Sequence, residues 1–295
     1  MRIAVLCSPE SWYLRDLHRA AADDYSIVPA PFTELTAGVG LNGRATLQAG
    51  EVDLAAVDAV LVRTMPPGSL EQVVFRMDAL ARLQHQGVVV VNPPKAIEAA
   101  VDKYLTTALL AEAGFRVPET IVCQTADEAM NAFERLHRDV VLKPVFGAEG
   151  RGITRLQDEN LALRAFKMLE QLGAVLYLQE FIEHEGCDVR LLVIGEQVLG
   201  MKRSNPLDWR TNVSRGAVAE RFTVDDHWTE MALRASRAVG ALVAGVDLLP
   251  ARDGTLYAIE VNAVPGWKAL AAAHQIDVAR LVLDYVATQR STVAT

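Results

Sequence analysis

The sequence predicts an α/β protein whose first part is built on a parallel sheet. Short apolar runs recur at residues 3–7, 59–62 and 88–91. Between the second and third, residues 70–83 place Leu70, Val73, Val74, Met77, Leu80 and Ala81 at helical spacing, with Glu71, Gln72, Arg76 and Asp78 between them. The run Val88-Val89-Val90-Val91 stands between Gly87 and Asn92-Pro93-Pro94. A continuous β-branched run bounded by Gly and Pro is a strand buried on both faces. Strand, helix, strand in that order is the signature of parallel pairing.

Composition sets the limits. The chain has 295 residues, 51% hydrophobic and 22% charged, with a net charge of −8. It can bury a core and is not a disordered chain. Domains of roughly 100–200 residues suggest two or three here. The acidic balance argues against nonspecific binding to nucleic acid or to an anionic membrane. The longest apolar runs are about five residues, where a bilayer span needs about 18. Met1-Arg2 leads straight into the first apolar run, so no signal peptide is expected. Cys7, Cys123 and Cys187 form no CxxC pair, which fits a reducing cytoplasm. The six histidines show no HExxH spacing.

The Pro93-Pro94 pair marks a boundary, giving a first domain over residues 1–95. A second part, residues 96–172, is expected to hold one helix over 96–113, stopped by Gly114, and another over 126–136. A strand at 140–143 is halted by Pro144, and the loop Gly147-Ala148-Glu149-Gly150-Arg151-Gly152 follows. A third part, residues 173–295, carries expected strands at 175–181, 189–193, 197–202, 246–249 and 256–261 and a helix at 228–243. Residues 291–295 read as a frayed tail.

Several residues invite chemistry. Three glycines within six residues let backbone N–H groups wrap a phosphate, although a plain turn between two strands reads the same way. The loop is neither a P-loop nor a dinucleotide fingerprint. Lys143 lies between Leu142 and Pro144 on the strand entering that loop, where an ammonium without an anion is costly. Lys103 lies near a helix start. It matters only if it meets Lys143 in space; otherwise it is an exposed charge. Glu260 and Asn262 are two apart on a strand and so share a face. Asp247 lies in another apolar strand. Hard oxygen donors on neighbouring strands suit Mg²⁺, which takes phosphate oxygens as further ligands. Arg190, Lys202, Arg203, Arg210 and Arg215 form a basic group in an acidic chain, with Asn205, Asn212 and Ser214 among them. This is either a solvated loop or a cleft that collects phosphate and carboxylate. Arg63, at a strand end, faces either a substrate carboxylate or solvent.

Taken in order, Asp102-Lys103, the stretch from Ala113 to Pro118, Val141-Leu142-Lys143-Pro144, the glycine loop and Gln179-Glu180-Phe181-Ile182 resemble the ATP-grasp superfamily. So do Cys187-Asp188-Val189-Arg190, Arg210-Thr211-Asn212, Gly245-Val246-Asp247 and the stretch from Glu260 to Gly266. The resemblance is to the RimK-like branch of glutamate-type ligases and covers about residues 90–290. It implies an ATP-grasp fold behind the N-terminal parallel-sheet domain. By position, Lys103, Lys143, Gly147, Gly150 and Gly152 would hold ATP phosphates. Glu180 and Phe181 would contact adenine, and Asp188 the nucleoside. Arg210, Asn212 and Arg215 would line the phosphate and substrate cleft, with Arg210 and Arg215 serving catalysis. Asp247, Glu260 and Asn262 would hold Mg²⁺, with Mn²⁺ as an alternative ion. The implied reaction phosphorylates a carboxylate and lets an amine displace the phosphate.

Residues 62–69 and 264–270 look like a subgroup associated with tetrahydromethanopterin-type cofactors. A small-molecule pterin carboxylate and L-glutamate are therefore the expected substrates, in a cytoplasmic homo-oligomer with no nucleic-acid or membrane partner. One rival is a ligase acting on a protein C-terminus or an amino-group carrier protein. Another is a nucleotide-binding protein without turnover. A Rossmann-type oxidoreductase is rejected, because Ser8-Pro9-Glu10 after the first strand holds no glycine fingerprint.

Overall fold

The structure is a computed structural model that describes residues 1–40, 45–147 and 151–293. The chain opens with β1 (Arg2–Leu6), α1 (Trp12–Ala21) and β2 (Ser26–Ala30). A small antiparallel ribbon follows, β3 (Leu35–Val39), β4 (Ala45–Ala49) and β5 (Val52–Asp53). Then come β6 (Ala59–Val62), α2 (Leu70–His85) and β7 (Val89–Val91). All pairings in the first sheet are parallel, in the order β2-β1-β6-β7. The expected parallel sheet is there. Sequence pattern missed β2 because Pro29 interrupts it, and the structure places this strand at the sheet edge, where a missing N–H is tolerated.

The expected single helix over 96–113 is two helices, α3 (Pro94–Val101) and α4 (Lys103–Glu112). Asp102 between them is extended, and its carboxylate accepts from the N–H groups of Tyr104 and Leu105. That side chain caps α4 and sets Lys103 at its first position. Next come β8 (Thr120–Cys123), α5 (Ala126–Arg135), β9 (Val140–Lys143), β10 (Thr154–Leu156), α6 (Glu159–Gln171) and β11 (Leu176–Glu180). Their strands form an antiparallel sheet in the order β10-β9-β11-β8. Residues 176–180, grouped by sequence with the third part, thus hydrogen-bond into this second sheet. A separate core that includes Phe133, Phe166 and Leu178 lies against it.

The remainder is β12 (Cys187–Ile194), β13 (Gln197–Ser204), β14 (Val218–Phe222), α7 (Asp226–Ala238), β15 (Val243–Pro250), β16 (Leu256–Asn262), α8 (Lys268–His274) and α9 (Val278–Val293). The third sheet is antiparallel in the order β14-β13-β12-β15-β16. The helix expected over 228–243 ends at Ala238; Gly240, at φ +72°, turns the chain into β15. The tail read as frayed continues as helix through Val293, and residues 294–295 lie outside the described residues.

First and third sheets share their cores. One cluster joins Ile3, Val5 and Val91 to Leu192, Val243, Trp267 and Val282. Buried Asn92 fastens the two. Its amide nitrogen donates to the carbonyls of Val243 and Ala263, and its oxygen accepts from the N–H groups of Leu242 and Val243. The second sheet, with its own core, forms the opposite wall of a cleft.

Candidate active site

The cleft is open to solvent and lies between the second and third sheets. One wall comes from β9 and β11. Lys143 ends β9, and its Nζ donates to Oε1 of Gln179 on β11 at 2.5 Å. Gln179 is held in turn by Thr120 Oγ1 at 2.9 Å and Tyr177 Oη at 3.1 Å. Lys103 Nζ donates to the Gly147 carbonyl at 2.7 Å. The two lysines meet at one cleft, which was the condition for Lys103 to matter. Burial pushes Lys143 down to about 8; neighbouring Glu260 opposes the shift and Lys103 adds to it. Lys103 is lowered for the same first reason, with Glu260 and Asp102 opposing. These are ammonium groups short of an anion.

The glycine loop lies in sequence between β9 and β10, which are antiparallel neighbours, and its residues Gly147 and Arg151 line the cleft. Gly147 (φ +151°) and Gly152 (φ +73°) adopt backbone that favours glycine. Gly150 lies outside the described residues. Glu180 and Phe181 line the cleft where the chain leaves the second sheet. The Glu180 carboxylate accepts from the Glu119 N–H at 2.8 Å. The Phe181 ring carries the Arg155 guanidinium at 3.4 Å on one contact and meets Trp209 edge-on at 5.6 Å on another.

The facing wall is the third sheet. Antiparallel pairing sets Arg190, Asp247 and Glu260 directly opposite one another across three strands, and Asp188 opposite Arg203. Partners in register share a face, so all five side chains emerge together. Arg190 clamps Asp247 through two bonds, at 2.6 and 2.5 Å. Arg203, 2% exposed, bridges Asp247 at 2.9 Å and Asp188 at 2.7 Å. Thr211 Oγ1 donates to Asp188 at 2.6 Å. Burial works to raise the Asp247 carboxyl, but Arg190 and Arg203 outweigh it and hold the group well below the ordinary carboxylate range.

Glu260 is the exception. Its nearest cation is Arg190 at 3.5 Å, and its side chain keeps 37% of its surface exposed. Two guanidiniums among three carboxylates leave one negative charge over, and Glu260 carries it. Its carboxyl is raised, by lost hydration first and by Asp247 second, against Arg190, Lys103 and Lys143.

Other expected site residues divide. Arg210 and Asn212 line the cleft. Arg210 pairs with Asp208 at 2.6 Å and reaches the Ile153 carbonyl, just after the glycine loop, at 3.4 Å. The side chain of Arg215 lies outside the described residues. Lys202, one residue from Arg203, falls on the other face of β13 and is exposed, so it leaves the basic group. Asn262 sits beside the cleft rather than in its lining, with Oδ1 accepting from the Val264 N–H at 2.8 Å. Sequence reasoning quoted Gln179 and Thr211 within the matched stretches without giving them a role, and it missed Trp209. Gln179 carried a usable signal, a polar residue ending the apolar run Leu176-Tyr177-Leu178.

The donor set fits a cation that arrives with a polyphosphate. Among the described residues, no three His, Cys, Asp or Glu side chains form a ready metal cage. Mg²⁺ needs only one or two carboxylates when phosphates supply the rest. Glu260 is the carboxylate free to serve. Asp247 would have to exchange a guanidinium contact, and Asn262 retains its second lone pair.

The family model described as a RimK-like ATP-grasp domain matches residues 100–286. A tetrahydromethanopterin:alpha-L-glutamate ligase from Methanosarcina acetivorans is 34% identical, covering 95% of this chain and 97% of its own. Its counterpart in Methanocaldococcus jannaschii is 29% identical, covering 97% and 98%. A probable alpha-L-glutamate ligase from Haemophilus influenzae is 32% identical over 69% of each chain. Among solved structures, the ATP-grasp ligase PsnB complexed with a minimal precursor superposes with a TM-score of 0.76 at 22% identity, covering 97% and 98%. That likeness shows the same fold, an α/β ATP-grasp architecture behind a parallel-sheet N-terminal part. No helix among the described residues is long and apolar enough to cross a membrane. The chain belongs to the RimK-like ATP-grasp family, and it is an ATP-dependent ligase that forms C–N bonds.

Proposed function

We propose that the chain joins L-glutamate to the carboxylate of a pterin-type small molecule, using ATP. The observation that carries the reaction is the meeting of Lys103 and Lys143 with Glu260 in one cleft. The acceptor is supported by the reach of the similarity. Two tetrahydromethanopterin relatives align over 95% and 97% of the chain, the first sheet included, and a third, from Methanococcus maripaludis, over 71%.

The chemistry follows from the charges. An acceptor carboxylate oxygen attacks the γ-phosphorus of ATP, and ADP leaves with the electrons of the broken P–O bond. The amine nitrogen of glutamate then attacks the acyl carbon. Phosphate departs with the C–O electrons, the nitrogen loses its proton, and an amide remains. Lys103 and Lys143 stabilise negative charge on the transferring group, and Arg210 closes the loop side. No protein nucleophile is needed. Glu260, with Asp247 and Asn262 beside it, would hold Mg²⁺ or Mn²⁺, which neutralises phosphate charge when bound. Phe181 and Trp209 offer apolar walls for the base, and Glu180 lies beside them. A cytoplasmic setting accompanies this reading, supported by the use of ATP and by three cysteines without disulfides.

The test is ADP release from ATP, Mg²⁺ and L-glutamate against a panel of carboxylates, with mass spectrometry of the product. Release that requires a reduced pterin carrying a carboxylate, with one glutamyl group added, is the expected result. Release with peptide acceptors alone would move the assignment to a protein-modifying ligase. ATP binding without release for any acceptor would overturn catalysis.

A pH signature accompanies the site. Lys143 in the free protein loses its proton near pH 8, while bound phosphates favour the charged form. Binding of ATP therefore takes up a proton above that pH. Affinity is expected to weaken by up to about tenfold per pH unit above 8. Calorimetry in buffers of different ionisation enthalpy measures the uptake. Lys143→Arg should flatten the profile; a flat wild-type profile would remove Lys143 from the phosphate site.

A further inference from the structure

In the first sheet the strand order turns back between β1 and β6, since β2 flanks one and β7 the other. Open parallel sheets bind ligands in the crevice at the carboxyl ends of such strands. Here those ends carry Cys7 and Arg63. Arg63 is 5% exposed, yet among the described residues no carboxylate partners it. Its Nη2 donates to the Pro265 carbonyl at 2.7 Å, and its guanidinium carbon lies 4.8 Å from the centre of the Tyr13 ring and 4.2 Å from that of Trp267. Its Nε is the one buried side-chain nitrogen or oxygen among the described residues without a hydrogen-bond partner. A buried cation without an anion is costly, and burial draws Arg63 down to about 10. The neighbouring Cys7 thiol, pushed up to about 11 by burial, supplies no negative charge.

Two further features converge on the crevice. α1 starts here, and its N-cap residue Ser11 makes no side-chain capping bond, so first-turn N–H groups remain available to an anion. The Pro265 segment also ties the crevice to the reaction face. A β-carbon on Gly245 would lie 3.2 Å from Pro265 Cβ and 3.8 Å from Arg190 Nε. Arg63 and Arg190 thus both lie close to the Pro265 segment.

We infer that Arg63 is a specificity-determining residue that binds a substrate carboxylate which does not react. This rests on the ligase reading above. In glutamate ligation the donor carries carboxylates that must not be phosphorylated, and an acceptor with a second carboxylate faces the same need. A planar guanidinium with free donors holds a carboxylate in a fixed geometry. The two aromatic rings, packed edge-to-face against each other with centres 4.9 Å apart, cover one side of the guanidinium, exclude water there and strengthen the contact.

Arg63→Met and Arg63→Lys are compared with the wild type by steady-state kinetics, calorimetric titration of L-glutamate and of the acceptor, and thermal melting. KM for one substrate is expected to rise about 10- to 100-fold in Arg63→Met, with a much smaller change in kcat. A rise for L-glutamate assigns the donor's carboxylate; a rise for the pterin assigns the acceptor's. Substrate amides give the second readout. L-glutamine, the α-amide of glutamate or a monoamide of the acceptor should be discriminated by the wild type and no longer by Arg63→Met. Arg63→Lys should recover part of the affinity. A folded Arg63→Met that keeps both KM values within about twofold and still rejects the amides would overturn the inference. So would a fall in kcat alone, which marks an interaction made only in the transition state and not the binding of a bystander carboxylate. If the wild type binds L-glutamate or the pterin but ligates neither, the ligase reading fails separately, and loss of that binding in Arg63→Met still upholds the carboxylate site. Unchanged binding refutes it.

Discussion

Replacing Glu260 by glutamine is expected to lower acceptor-dependent ADP release by about 10²–10³-fold or more while leaving the melting temperature nearly unchanged. Both halves come from its surroundings. Its contact with Arg190 is 3.5 Å long and its side chain is 37% exposed, so its ion pair contributes little to stability. Its charge is the one that Arg190 and Arg203 leave over, and it faces both lysines of the cleft. Glutamine keeps the size and removes the charge that a cation bridging to phosphate would need. The apparent Mg²⁺ requirement should rise with the loss of turnover. Activity within about threefold of wild type would remove Glu260 from the reaction.

Asp247→Ala should do the reverse to stability. Asp247 and Glu260 are paired residues on adjacent strands, but Asp247 is only 6% exposed and holds two guanidiniums. Its removal leaves Arg190 and Arg203 around an unfilled space, a class of change that costs about 3–5 kcal/mol. The sign with pH follows from its lowered carboxyl. A carboxylate whose folded pKa is depressed contributes stability that is fully present above its unfolded pKa, near 4, and lost as pH falls through the folded value. Urea unfolding curves of wild type and variant should therefore stand apart by a constant amount above about pH 5 and converge in acid. A difference below about 1 kcal/mol at neutral pH would show that the arginines do not depend on Asp247.

Much of the site was legible because charged residues inside apolar strands are costly unless something compensates them. Lys143 within Val141-Leu142-Lys143-Pro144 and Asp247 within Val246-Asp247-Leu248 stood out for that reason, and both line the cleft. The lysine that local pattern could not weigh was Lys103. Residues 96–113 have an unbroken helical spacing, and the break appears only because Asp102 turns its side chain to cap the next helix.

What the sequence determined by itself was nine of the sixteen strands among the described residues, the parallel first sheet without its edge strand β2, and the residue types that phosphate and carboxylate chemistry requires. These rest on short-range effects, the period of side-chain direction and the cost of burying charge. Pairing partners were decided only in three dimensions. Lys202 and Arg203 are neighbours in the chain, yet register sends one to solvent and the other between Asp188 and Asp247. Residues 176–180 join the second sheet although they follow its helices, because there both faces of the strand are buried. Arg63 read equally as a surface charge and as a site residue, and only the packing of Tyr13, Pro265 and Trp267 around it removed the solvent. Register, sheet partners and desolvation depend on contacts between residues far apart in the chain, and local pattern carries no record of them.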